Sequence, residues 1–228
     1  MSTESKGSEK ELLALISSSV HDMKTPLTSI VGFADAILDG TVPKEKQTHY
    51  LRVIRDEADR LERICEELLD ASKIESGTRK YEKAPFDICE TARRVLISLE
   101  NRIENKKLNV EFNATDDSII ALGDENAIMR VLYNICDNAV KFSYSEGTLS
   151  LDIIEGENDI TVKIENSGEG MSDEELRNVF LPFYRKGSGG TGLGMYIAKN
   201  IMDAHGTSIT AKSEQGKKTA FTFRINRG

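Results

Sequence analysis

The strongest constraint on this chain is a heptad seam. Leu13, Ile16, Val20, Met23, Leu27, Ile30, Ala34 and Ile37 follow one another at alternating steps of three and four. That spacing lines up one stripe on a helix and commits it to packing lengthwise against another. The run stops at Asp39-Gly40-Thr41-Val42-Pro43. A second seam then passes through Leu51, Ile54, Ala58, Leu61, Cys65, Leu68 and Ser72. The pattern predicts helices over about 9–38 and 44–74, antiparallel because the connection is short. Leu12, Val31 and Leu38 widen the first stripe, and Ile64 and Leu69 widen the second. Two helices cannot enclose stripes this broad, so the sequence predicts a homodimer whose hairpins form a four-helix bundle.

With Leu13 at position a of the heptad, His21 falls at b and Thr25 at f, outside the seam and one turn apart. An imidazole held in water on a rigid helix is poor core material and useful chemistry. Asp22 beside it can hydrogen-bond one ring nitrogen, which fixes the tautomer and makes the other nitrogen the better nucleophile. Pro26 removes the helical bond to the carbonyl of Asp22 and favours a kink. A lone surface histidine is more often nothing than a nucleophile, so the rest of the chain has to decide. His49 faces no motif and reads as a surface residue.

A chain of 228 residues, 39% of them hydrophobic, can build two modest domains. Residues 75–81 are polar, contain Gly77 and lead to Pro85, which reads as a joint between a helical unit over 1–78 and a second domain over 79–228. The net charge of −8 argues against nucleic acid as a partner. Cys65, Cys89 and Cys136 are far apart, with neither a metal spacing nor a disulfide framework. The first ten residues are polar and no apolar run approaches the roughly 20 residues a membrane span needs. The expected location is the cytoplasm.

Beyond the joint, short strands and helices alternate. A helix starts at Asp87, with Glu90 completing a capping box, and runs to about 105. Strands follow over 108–113 and 119–122, then a helix over 125–142 capped by Asp124. Hairpins read over 147–166 and 208–225, with a short helix over 173–179 and another over about 192–205 between them. The class is α+β: a helical hairpin, then an α/β sandwich with a mixed, largely antiparallel sheet and helices on one face.

Four clusters in the second domain suit a nucleotide. Asn134, Asn138 and Lys141 recur at steps of four and three, so they share a helix face, with Phe142 beside them. The amide oxygens of Asn138 and Asn134 can hold a magnesium ion that keeps most of its waters and bridges phosphates. Lys141 adds a point charge. In Asn166-Ser167-Gly168-Glu169-Gly170-Met171, two glycines let the backbone approach a flat base. Residues 179–185 form an apolar patch ending in the cation Arg185. Gly189-Gly190-Thr191-Gly192-Leu193-Gly194-Met195 opens a helix, where backbone N–H groups face phosphate. Each cluster alone is weak, since a glycine-rich turn is often only a turn.

His21-Asp22-Met23-Lys24-Thr25-Pro26-Leu27 closely resembles the H-box of sensor histidine kinases, and the four clusters follow in the order of that family's ATP site. The resemblance covers about residues 10–228. It implies a dimerisation and phosphoacceptor hairpin followed by an ATP-binding α/β sandwich, with ATP and Mg2+ as cofactors. It further implies that His21 attacks the γ-phosphate, oriented by Asp22, and that Lys141 and Arg185 stabilise the charge. Thr25 would place a water for the reverse, phosphatase reaction. Asn134, Asn138, Lys141, Phe142, Asn166, Gly168 and Gly170 would hold the nucleotide, together with Gly190, Thr191, Gly192, Leu193 and Gly194. The phosphoryl group would pass to an aspartate on the receiver domain of a response regulator. The resemblance to membrane-bound sensors implies that a membrane is reached only through segments absent from this chain. One position departs from the family: Asp is usual where Asn166 stands, and its carboxylate accepts a hydrogen bond from the adenine amino group. A neutral amide accepts more weakly, by roughly 1 kcal/mol. That departure favours a second function, a catalytically weakened nucleotide-binding scaffold that regulates a partner through its bundle. A third, a clamp ATPase, is opposed by the H-box.

Overall fold

The computed structural model describes residues 22–186 and 190–228. The start of the first seam, and His21 with it, lies outside the described residues. Helix α1 covers 22–38, and α2 covers Lys44–Glu75. Gly40, at φ +77°, makes the turn, and Pro43 precedes the first turn of α2 with φ already near the helical value. Phe33 and Tyr50 stack across the hairpin at 5.1 Å, which marks the antiparallel packing expected from the short connection. The apolar stripes are largely open in the single chain: Leu38 is 84% exposed, and Leu27, Val31, Leu51 and Leu69 are also exposed. What α2 buries is a different face, with Ile64, Asp70 and Ala71.

The rest is an α/β sandwich. Strands β1 (Ala84–Asp87) and β3 (Ile120–Gly123) pair antiparallel as a separate ribbon. The main sheet contains β2 (Asn109–Ala114), β4 (Thr148–Glu155), β5 (Asp159–Ser167), β6 (Ile209–Glu214) and β7 (Lys218–Asn226) in the order β2-β4-β5-β7-β6. Only β2 and β4 are parallel; the remaining neighbours are antiparallel. The alternation in β5 buries Ile160, Val162 and Ile164 on the face covered by α5 (Glu125–Phe142) and α7 (Gly194–Ala204).

Two local expectations are corrected. The helix expected over 87–105 is two, α3 (Ile88–Ser98) and α4 (Glu100–Lys106), because the chain breaks at Leu99 to seat that side chain in the core. Asp87 does cap α3, accepting from Cys89 N–H (2.9 Å) and Glu90 N–H (3.2 Å), but Glu90 lies toward Arg93 rather than closing a box. The complete capping box is at α6 (Asp173–Asn178), between Ser172 and Glu175.

Candidate functional site

A cavity of about 700 Å³ opens where the sheet, α5, α2 and the segment around 171–194 meet. Its floor follows from the strand pattern. The buried alternation of β5 ends on Asn166, and that of β7 ends on Thr219; the two are register partners. Polar residues thus finish two apolar stripes at one place under the cavity. On α5, Asn134, Asn138, Lys141 and Phe142 all line the wall, as their spacing requires. Asn134 donates to the carbonyl of Gly194 (2.8 Å), tying α5 to the first residue of α7. Burial holds the Lys141 ammonium below its usual pKa, and the charges of Arg102, Arg185 and Arg60 push the same way. An ammonium held among cations gains from an arriving anion. Arg102 is paired with Asp137. Lys106 donates to the carbonyls of Lys141 (2.6 Å) and Ser143 (2.9 Å), satisfying the end of α5.

The glycine-rich loop closes the other side. Gly192 has φ +75°, and a Cβ there would stand 2.7 Å from the carbonyl carbon of Phe183, so only glycine fits. The backbone N–H of Phe183 donates to the Gly192 carbonyl (3.0 Å), and Leu193 N–H donates to the Thr191 hydroxyl (3.1 Å). Gly170, Gly190, Thr191, Gly192 and Gly194 line the cavity. Gly168 and Leu193 lie outside that lining. Gly168 serves a close approach, with a Cβ there 2.1 Å from the carbonyl oxygen of Phe142, and Leu193 is a core residue. Lys186 donates to the Gly170 carbonyl (2.9 Å) and pairs with Glu175 (3.3 Å), tying the start of α6 to the glycine turn after β5.

The helical hairpin supplies the third wall. Arg185 donates to both carboxylate oxygens of Asp22 (3.0 and 2.9 Å) and to the Gly190 carbonyl (3.2 Å). The expected service of Asp22 to His21 falls on a residue outside those described; among the described residues, Arg185 is a partner of the Asp22 carboxylate. Thr25 is exposed and off the cavity wall. Arg60, Arg63, Ile64 and Glu67 of α2 line the cavity too. The apolar seam of α2 does not reveal this group. Its only signal is a second helical stripe, Arg60, Ile64, Glu67, Ala71 and Ile74, offset from the seam and too charged to read as buried. Among the described residues no cluster of three or more His, Cys, Asp or Glu could hold a metal. The amide pair Asn134 and Asn138 fits a magnesium ion that arrives with phosphates; the Asn134 nitrogen is engaged by Gly194, which leaves its oxygen to ligate.

Residues 11–77 match the His Kinase A (phospho-acceptor) domain, and residues 123–228 match the histidine kinase-, DNA gyrase B- and HSP90-like ATPase. Over 224 residues the chain is 30% identical to Sensor protein SrrB of Staphylococcus aureus (strain N315), covering 95% of this chain and 38% of that protein. The chain therefore spans well under half the length of this curated relative. The Acinetobacter baumannii histidine kinase AdeS superposes with a TM-score of 0.72 at 26% identity, covering 91% of this chain and 98% of that one. Histidine kinase ThkA, solved in complex with the response regulator protein TrrA, gives a TM-score of 0.73 at 24% identity over 99% of this chain and 65% of that one, a likeness of fold. The ATPase match makes the sandwich an ATP-binding domain. With a phosphoacceptor domain and this ATPase in order along one chain, the protein belongs to the sensor histidine kinases.

Proposed function

We propose that the chain is the catalytic core of a two-component sensor, with residues 1–78 carrying the phosphoacceptor and 79–228 binding ATP. The observation that carries this is the position of Asp22. It adjoins His21 in sequence and lines the same cavity as Lys141, Arg185 and the glycine-rich loop. In the proposed reaction a ring nitrogen of His21 attacks the γ-phosphorus of ATP. The bond from that phosphorus to the bridging oxygen breaks, ADP leaves, and the imidazolium formed gives up its proton toward Asp22 or water. Lys141 and Arg185 face the charge that develops on the phosphoryl oxygens. Asn138 and Asn134 would hold magnesium, which supplies charge compensation for the phosphates. The phosphohistidine then transfers its phosphoryl group to an aspartate of a response-regulator receiver domain, the kind of partner found with ThkA. Thr25, on the exposed side of α1, would serve a phosphatase reaction.

The open stripes of α1 and α2 support a homodimer. The coverage of SrrB supports a place within a longer sensor, as its cytoplasmic part. Among the described residues no helix is long and apolar enough to cross a membrane. The test is incubation with γ-labelled ATP. The wild-type chain should acquire base-stable, acid-labile phosphate and His21→Gln none, with nucleotide affinity unchanged. Label on the Gln variant would show that the acceptor is another residue.

A further inference from the structure

One wall of the cavity belongs to the helical hairpin, and it brings a carboxyl group to the glycine-rich loop. Glu67 of α2 accepts a hydrogen bond from the Thr191 hydroxyl, which itself accepts from Leu193 N–H at the start of α7. Thr191 is almost fully buried, and Gly190 and Gly192, both at positive φ, set the turn around it. A hydroxyl and backbone amides at a helix start are the donors a phosphate takes. Glu67 is partly withdrawn from water. Burial raises its pKa, while the Thr191 bond, Arg130 and Arg63 oppose the rise and Asp70 adds to it. The remainder of this α2 face is anchored independently, by Asp70 to Arg79 and Arg130 and by Glu75 to Tyr196.

We infer that Glu67 is a specificity residue lent to the phosphate loop by the hairpin: it takes the Thr191 hydroxyl, and the terminal phosphates of a nucleoside triphosphate must displace it. The inference rests on the proposed ATP-dependent function. Like charges this close, in a site partly shielded from water, repel, so Glu67 opposes a nucleotide in proportion to the phosphate charge that reaches the loop. By reciprocity, triphosphate binding weakens the hold of Glu67 on Thr191. Once Glu67 yields, Arg63, one turn before it on α2, remains on the wall to meet the phosphates.

The test uses the full chain and titration calorimetry with ATP, ADP and AMP in the presence of magnesium. Glu67→Gln removes the charge and keeps a hydrogen-bonding group; Glu67→Ala removes both. Each should bind ATP about tenfold more tightly than wild type, gain less for ADP, and bind AMP as wild type does. Unchanged or weaker ATP binding would overturn the inference, as would an equal gain for all three nucleotides. Failure of both variants to fold, judged by circular dichroism, would make Glu67 a structural residue and overturn it as well. If wild type binds ATP and Glu67→Gln binds it equally, only this inference falls. If neither binds any adenine nucleotide, the proposed function falls with it.

Discussion

Asn166 ends the buried stripe of β5, only 4% exposed, beside its register partner Thr219. Glu165 points to the other face, where Lys163 (3.0 Å) and Lys218 (3.3 Å) hold it, so it cannot stand in for a carboxylate in the cavity. An amide at position 166 can accept or donate according to its flip, whereas a carboxylate can only accept, which suits an adenine amino group and repels the O6 of guanine. The Asn166→Asp variant should therefore bind ATP about tenfold more tightly, a difference of roughly 1.4 kcal/mol, with a wider preference over GTP. Equal affinities for both nucleotides in both proteins, by calorimetry, would leave the side chain without functional weight. On the opposite wall, Asn138→Ala should abolish magnesium-dependent ATP binding with little loss of stability, since Asn138 faces the cavity and not the core. A full magnesium-dependent affinity in that variant would remove the metal role given to this helix face.

Among the elements, α5 was the most legible: its cap, its bounds and its polar face all follow from the spacing of Asp124, Asn134, Asn138 and Lys141. Helix α2 was legible in length but only half legible in packing. The seam shows its apolar face, yet the buried face that meets the sandwich carries Glu67 and Asp70, which taken alone read as solvated. Leu99 was hidden for the opposite reason, because apolar periodicity continues through a break that only the core dictates. Asp70 bridges Arg79 (2.7 Å) of the joint and Arg130 (2.5 Å) of α5. Removing it as Asp70→Ala leaves two largely buried guanidinium groups unmatched. That should cost about 2 kcal/mol in urea unfolding, below the roughly 3–5 kcal/mol of a fully buried pair because water still reaches both guanidinium groups. His205 was missed as well. Its Nδ1–H donates to the Ile201 carbonyl (2.7 Å) and its Nε2 accepts from Asp124 N–H (3.1 Å), so the ring is neutral and ties the end of α7 to the cap of α5. Burial pushes its pKa below the usual 6.5, helped by Lys83 and opposed by the Ile201 bond and by Asp124. The unfolded chain therefore takes up the proton first. This contribution to stability is complete above about pH 6.5 and is lost as the pH falls below it. Melting temperatures should drop between pH 7 and 5 more steeply in wild type than in His205→Gln; parallel curves would exclude His205 as the source.

For the whole molecule, the contacts of α1 bear on how a dimer would work. Leu27, Val31, Leu38, Leu51 and Leu69 leave a long apolar surface on the hairpin, which a second copy would cover. Sedimentation should find a dimer, and Leu27→Asp combined with Leu51→Asp should find a monomer that still binds ATP. In a dimeric bundle the phosphoryl group has two routes, within a chain or between chains. Asp22, next to His21 in sequence, meets Arg185 and lines the cavity of its own chain, and transfer within a chain is the prediction drawn from that contact. A partner's helix could reach this cavity only after that contact opened. Mixed dimers of His21→Gln and Asn138→Ala decide between the two. The first chain retains the ATP site and lacks the acceptor; the second retains the acceptor and lacks magnesium-dependent ATP binding. Transfer within a chain predicts no phosphohistidine in the mixture, even though each variant pairs with the other. Label appearing on the Asn138→Ala chain would show that the phosphoryl group crosses between protomers, and that the Asp22–Arg185 contact belongs to a resting arrangement.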